Sequence, residues 1–302
     1  MNARELYSAV SWHVRGVFAE ERLREVGFAA RDLAQRREVV ARIAMARELL
    51  RGSPPAIAID RANGYVKLGA RAELDAVATA GSAVAGNAES GETPPGKEFF
   101  RTRFSTDDEL VTLLRAALAP ELVAAVTAYL GVVPVIAYAD YYCSVPHGPP
   151  WNKSQLWHCD DDGARIVKLF VYCEDVGPDN GPFEFVAAGD SARARKAVGY
   201  RYAGRRYRVS DAAMDAHVPR DRQLAIEGPR TTGFLIDTTH CFHRGSRIAV
   251  KNKRRVAAIV CYCQPSAVKL PLRLAGSRAP LAKYAPRFAG ELERAVLGVP
   301  VA

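Results

Sequence analysis

No C-x-x-C pair occurs among the six cysteines, Cys143, Cys159, Cys173, Cys241, Cys261 and Cys263. That absence argues against a zinc ribbon or a thioredoxin-type redox motif. Most of these thiols sit inside apolar runs, where cysteine behaves as a small buried hydrophobe. No internal repeat is visible. The N-terminal stretch "MNARELYSAVSWHVRGVFAEERLREV" is charged and helical in pattern and has no apolar middle of the kind a signal peptide needs. Only "LVAAVTAYLGVVPVIAYA", residues 122 to 139, approaches the length of a membrane span. Gly131 and Pro134 interrupt it, so it reads as a helix end followed by a buried strand. A reduced, cytoplasmic protein with no membrane partner is the expectation.

What is present is an ordinary globular composition, 49% apolar and 25% charged over 302 residues. The net charge of +9 favours anionic partners without choosing among nucleic acid, phosphate and carboxylate. The chain reads as a single domain over residues 1–302. Residues 1–130 are largely helical in pattern, with one helix over 19–50 that Pro54 and Pro55 stop. "AIAIDRANGYVKLG" reads as two short strands around a turn at Asn63 and Gly64. A mobile loop is expected at 80–97, then a helical pair opened by Ser105.

From residue 131 to 268 the pattern changes to short apolar and aromatic runs separated by Gly, Pro, Asp and Asn. No helices alternate with them, which favours a sandwich or double-sheet barrel over a parallel α/β fold. A basic insertion follows at 191–230, and a helical tail at 278–297. The stretch 191–210 of that insertion holds seven basic residues, three tyrosines and no acid. Such a run can bind single-stranded nucleic acid, an anionic substrate, or only water.

In "SQLWHCDDDG", residues two apart on a strand share a face, which pairs His158 with Asp160 rather than Asp161. Asp162, beside Gly163, is a natural turn residue. His-x-Asp is common by chance, but "DTTHCFHRGSR" supplies further histidines, His240 and His243, at a later strand end. Two histidines and one carboxylate form the facial triad of non-haem Fe(II) oxygenases, with three positions left open. "NKRRVAAIVCY" then opens a strand with two arginines, and an arginine at the mouth of a buried strand requires an anion.

The order His-x-Asp, strand, "DNGPF", His near Gly-Ser, and Arg entering the last strand resembles the phytanoyl-CoA dioxygenase family over roughly residues 130 to 265. The resemblance implies a double-stranded β-helix, a cupin-like jelly-roll with helices packed on it. It also implies an Fe(II)- and 2-oxoglutarate-dependent oxygenase that consumes O2, yields succinate and CO2, and acts on a small-molecule substrate. By this likeness His158, Asp160 and His243 would be the metal ligands and catalytic residues. Arg255 and Ser246 would hold the far carboxylate of 2-oxoglutarate, with Arg254 the alternative clamp. Lys168, inside an apolar run, would be a second hold on 2-oxoglutarate, a contact to an acidic substrate, or an edge-strand lysine. The sequence departs from the family where Arg244 makes "HRGS" of His-Gly-Ser, and where "AAGDS" at 187–191 stands for Gly-Ser-His. A metal-binding cupin that does without 2-oxoglutarate, and a non-catalytic anion- or nucleic-acid-binding barrel, are the competing readings.

Overall fold

In a computed structural model of the chain, the described residues are 21–52, 54–86, 100–102, 106–161, 163–267 and 281–301. Helices come first. The long basic helical stretch divides at Gln35 into α1 (Glu21–Ala34) and α2 (Arg36–Leu49). Arg42 ties α2 to the rest of the chain. It is buried, and its guanidinium donates to the carbonyls of Pro134, Ala295 and Val299 at 3.1, 2.9 and 3.1 Å. Glu38 accepts from its Nε one helical turn away.

The expected hairpin at 56–69 supplies one strand only, β1 (Tyr65–Lys67), and it pairs with a distant strand instead of a neighbour in sequence. Gly64, at φ +75°, turns the chain against Cys241 and Ala188 where a side chain would collide. Residues 80–86, expected in a mobile loop, belong to α3 (Ala72–Gly86). Alanine dominates that segment and favours helix, while its small side chains permit close packing on the sheet. Residues 87–97 of that loop and Ser105 lie outside the described residues. After β2 (Phe100–Thr102), helix α4 (Asp107–Ala117) begins with Thr106 as its cap, in reciprocal hydrogen bonds with Glu109. Helix α5 (Pro120–Leu130) has Pro120 in its first turn and ends at Gly131, φ +76°.

Among the described residues no single helix is long and apolar enough to cross a membrane. The pair α4 and α5 passes that test only together, bent by 63°, and both helices are packed in the core. The apolar run at 122–139 is the end of α5 and the start of β3 (Val135–Ser144).

The remaining strands are β4 (Ile166–Tyr172), β5 (Phe183–Val186), β6 (Gln223–Ile226), β7 (Gly233–Asp237), β8 (His243–Arg244) and β9 (Arg255–Cys263). They form two antiparallel sheets, β1-β7-β4-β9-β3-β2 and β6-β5-β8. Residues 157 and 158 join the smaller sheet through isolated bridges to Val209 and His243. From β3 onward the chain passes to the smaller sheet at 157–158, back at β4, across to β5 and β6, back at β7, across to β8 and back at β9. That alternation is the connectivity of a double-stranded β-helix. Antiparallel neighbours need no helical crossovers, and the α-helices that do occur among these strands all fall between β5 and β6, against the expectation that none would.

The strand alternation divides the core. Val167, Leu169, Val171, Leu235, Val256, Ala258, Val260 and Tyr262 face outward, buried under α3, α4 and α5. Phe170, Tyr172, Phe234 and Ile236 from the large sheet meet Phe183, Phe185 and Ile226 from the small one between the sheets. The basic insertion starts inside helix α6 (Ala188–Ala197) and contains α7 (Asp211–Asp215). It closes on β6, so the end of the presumed insertion is a core strand. The tail expected at 278–297 is a 3-10 turn at Leu281–Arg287 and helix α8 (Glu291–Val296), residues 278–280 lying outside the described set.

Gly81 on α3 lies against β3 and β4, and a Cβ there would meet Cys173 Sγ at 2.2 Å and Tyr141 Cδ1 at 3.0 Å. Gly81→Ala is expected to lower stability by about 1–3 kcal/mol through overpacking, against the gain that alanine gives an exposed helix. A urea or thermal melt checks it; an unchanged midpoint would mean that α3 is not seated on the sheet.

Candidate metal centre

Two backbone hydrogen bonds create the centre. His158 N–H donates to the carbonyl of His243 at 3.0 Å, and His243 N–H donates to that of His158 at 2.9 Å. Residues paired in this way stand directly opposite on one face of an antiparallel ladder. The two rings accordingly lie 4.2 Å apart, centroid to centroid. Asp160, two residues on, returns to the same face, its N–H fixed to Thr238 O at 2.8 Å. One ligand atom from each of His158, Asp160 and His243 falls within 4.8 Å of the others, and all three residues are buried.

Each imidazole is oriented from behind. Nδ1 of His158 lies 2.8 Å from Leu156 O, and Nδ1 of His243 lies 3.1 Å from Cys241 O. A carbonyl only accepts, so Nδ1 carries the proton and Nε2 keeps its lone pair. Burial holds the pKa of His158 well below the usual histidine range, with His243 and Arg208 adding to the effect. Burial likewise pushes that of His243 down to about 4, against the pull of Asp160. Burial works to raise the pKa of Asp160, but Lys168 and the two histidines outweigh it and hold the carboxylate ionised. These are the protonation states in which each group ligates. Three acceptor atoms converging in a buried space repel one another until a cation joins them. The donor set of imidazole and carboxylate suits a divalent first-row metal such as Fe(II), with the remaining coordination positions open.

Lys168 sits mid-strand in β4, between β7 and β9, so the edge-strand reading does not hold. Its Nζ lies 2.7 Å from Asp160 Oδ2, while Asp160 Oδ1 faces His243 Nε2 at 3.8 Å. The ammonium thus occupies one carboxylate oxygen and leaves the other to the centre.

Arg254 and Arg255 diverge. Arg254 is at the surface in an ion pair with Glu174. Arg255 is buried, donating to Gly181 O at 2.5 Å and to Ser246 Oγ at 3.0 Å. Among the described residues no carboxylate stands within ion-pair distance of it, and its buried Nε has no hydrogen-bond partner. Gly181 at φ +62° makes this cradle possible, since a Cβ there would strike Ile248 Cγ1 at 2.7 Å and Arg247 N at 2.8 Å. Ser246, at φ +62°, is held by Ser144 Oγ at 2.8 Å and by Gln155 Nε2, which donates to its carbonyl at 2.9 Å. Ser144 and Gln155 carry no sequence signal; they reach Ser246 only through the fold. Arg244 is the second residue of β8 and points away from His243, to Glu184 and Asp211, with Trp157 stacked at 4.3 Å.

His240 is bound elsewhere: its Nδ1 meets Asp237 Oδ2 at 2.8 Å. Asp237 also accepts from Tyr129 Oη at 2.7 Å and from the N–H groups of Thr239 and His240 at 2.9 and 3.0 Å. This buried acid ties together the turn that delivers His243. Cys159 and Cys241 fill the core, burial raising both thiols, that of Cys159 to about 12. His147 and His217 are exposed, while His13 and Asp162 lie outside the described residues. The insertion's tyrosines are buried, Tyr200 at 8%, Tyr202 at 2% and Tyr207 at 9% exposure, so none offers a free ring face to a base.

Fold and side chains together define a double-stranded β-helix in which His158, bridged to β8 of the smaller sheet, and Asp160, two residues on, meet His243. No family model matches the chain, and no curated protein matches it. Solved structures are remotely similar to the chain. EctD from S. alaskensis in its apoform is 17% identical at TM-score 0.48, covering 70% of this chain and 76% of its own. The non-heme alpha ketoglutarate dependent carbocyclase SnoK from nogalamycin biosynthesis is 17% identical at TM-score 0.49, covering 76% and 92%. HygX from Streptomyces hygroscopicus, with nickel and 2-oxoglutarate bound, is 14% identical at TM-score 0.42, covering 67% and 84%.

Burial works to raise the pKa of Asp237, but the hydrogen bond and charge of His240, with Tyr129, hold it below the usual carboxylate range. A pKa depressed on folding adds stability that is full above the ordinary value of about 4 and is lost as pH falls through the lowered one. Asp237→Asn should therefore cost about 3 kcal/mol at neutral pH, as expected for breaking a buried charged network. The deficit should narrow below about pH 4. Urea melts across pH check this, and a pH-independent deficit would contradict it.

Proposed function

We propose that the protein is an Fe(II)- and 2-oxoglutarate-dependent oxygenase that hydroxylates an unactivated carbon of a small metabolite. The observation that carries this reading is the pairing of two sites in one barrel. One is the converged, metal-ready set of His158, Asp160 and His243. The other is Arg255, a buried guanidinium without a carboxylate partner among the described residues, which bonds Ser246, three residues past His243. A metal site alone would leave that arginine unexplained.

His158 and His243 would hold the metal through Nε2, and Asp160 through Oδ1, since Lys168 occupies Oδ2. When bound, Fe(II) with 2-oxoglutarate and dioxygen supplies the oxidising power for a C–H bond, with succinate and CO2 as co-products. The chain's own part is positioning. Arg255 presents a planar fork to the far carboxylate of 2-oxoglutarate, and Ser246, pinned by Ser144, adds a hydroxyl. Phe183 stacks on the His243 ring at 5.4 Å and 15°, closing the back of the site with an apolar wall that excludes water. Lys168 is assigned to Asp160 rather than to 2-oxoglutarate. Six buried free thiols suit a reducing compartment such as the cytoplasm.

An anaerobic titration with Fe(II) and then 2-oxoglutarate, followed in the visible region, tests the reading. Wild type should develop the charge-transfer band of a chelated keto acid, and His243→Ala should not. Arg255→Ala should keep the iron site but need about a hundredfold more 2-oxoglutarate, the loss of about 3 kcal/mol from a buried charge pair. Iron binding without any band would favour a metal-binding cupin that does without the keto acid, and no iron binding would refute both.

A further inference from the structure

Part of the basic insertion is held by acids: Arg193 and Arg222 pair with Asp190, Arg220 with Asp215, and Arg230 with Asp75. Arg208 is not. Among the described residues no carboxylate lies within ion-pair distance of it, and its Nη1 is buried without a hydrogen-bond partner.

The fold aims that side chain at the metal centre. Trp157 N–H donates to Val209 O at 3.2 Å and Val209 N–H to Trp157 O at 2.9 Å, so residue 209 stands opposite residue 157. One step along an antiparallel ladder, the same register sets Arg208 opposite His158. Trp157 and Val209 both turn into the apolar cluster behind the small sheet. By alternation, Arg208 shares the face of His158. Its guanidinium lies 3.8 Å from the centre of the Tyr207 ring, which itself stands edge-on to His158 at 6.0 Å. Stacking on the ring fixes the plane of the fork at modest cost. The charge of Arg208 is felt by both histidines, contributing to their neutral state.

We propose that Arg208 anchors a carboxylate or phosphate group of the substrate and thereby sets which carbon lies beside the metal. The inference rests on the oxygenase reading above and adds to it a substrate class and a specificity-determining residue. A guanidinium fork matches an oxyanion with two parallel hydrogen bonds, and a cation without an acid inside a protein wall is stabilised by such a group. Arg255 has different neighbours, Ser246 and Gly181 at the start of β9, whereas Arg208 stands at Tyr207 opposite His158. Each guanidinium is therefore taken as its own anion position.

The test uses the full chain loaded anaerobically with Fe(II) and 2-oxoglutarate. Benzoate, phenyl phosphate and the neutral benzamide are the probes, and the shift of the charge-transfer band on adding each is the readout. At least one of the two anions should shift the band while benzamide does not. Arg208→Gln should need about tenfold more anion or worse, as for a lost charge-assisted contact, with Arg208→Lys between the two. Affinity for Fe(II) and 2-oxoglutarate should stay unchanged in both variants. An equal response to benzamide, no response to either anion, an undiminished response in Arg208→Gln, or a raised 2-oxoglutarate requirement in that variant would each overturn the proposal. If wild type shows no band before any probe is added, the co-substrate reading has failed instead. Calorimetric titration of phenyl phosphate into wild type and Arg208→Gln without 2-oxoglutarate then decides Arg208 by itself.

Discussion

The reciprocal hydrogen bonds between the backbones of His158 and His243 are the constraint on which the site depends. They are the point where two strands far apart in sequence are locked in register, and a slip of one residue would turn both imidazoles to the opposite face. The rest of the small sheet protects that register. Val209 pairs with Trp157 on one side, and Phe185 with His243 on the other. Asp237, with His240 and Tyr129, fixes the turn that feeds β8. Even Arg244, an additional residue by the family pattern, strengthens the lock, because its ion pairs to Glu184 and Asp211 bind β8 to β5 and to the insertion.

The charges inside the barrel follow from the same geometry. Asp160 is answered by Lys168, so that pair is close to neutral. The buried Arg255 and the half-buried Arg208 have no carboxylate partner among the described residues, and each has a buried nitrogen without a hydrogen-bond partner. A buried unpaired cation is costly, on the order of several kcal/mol. Such an interior favours anionic visitors, since each one removes a standing penalty as it binds. Under the proposed function, two guanidiniums beside a ligand set with only one carboxylate match a dianionic co-substrate and an anionic substrate better than a structural metal.

Much of this was legible in the chain itself. His158 and Asp160 reveal their shared face by a spacing of two, and the runs between residues 131 and 268 announce strands by length and by the turn residues between them. The positive-φ glycine in "DNGPF" can be read as a turn, though not as the floor under Arg255. What stayed hidden depends on contacts across the barrel. Lys168 finds Asp160 only because β4 runs beside the loop after residue 158, and Ser144 finds Ser246 only because β3 pairs with β9 at Arg255. Helix patterns misled where small residues dominate, since alanine and glycine at 80–86 suit a loop by composition and a close-packed helix by fit. The single strand at Tyr65–Lys67 was mistaken for half of a hairpin because its partner, β7, is more than 160 residues away.

The buried tyrosines of the insertion bear on its three readings. Interleaved basic and aromatic residues serve nucleic acid only if the rings are free to stack, and here Tyr200 and Tyr202 spend their hydroxyls on the backbone of Cys159 and Thr239. Those contacts fasten the insertion to the two segments that carry Asp160 and the approach to His243. The aromatics are therefore the means by which the insertion is attached to the segments of His158 and His243, and Arg208 is what it brings there. Four of its basic residues are held by acids at the surface, and Arg208 is carried inward by the register of Val209. A segment built only for solubility would have no reason to pair with the segment of His158, and one built for nucleic acid would not bury its rings to do so.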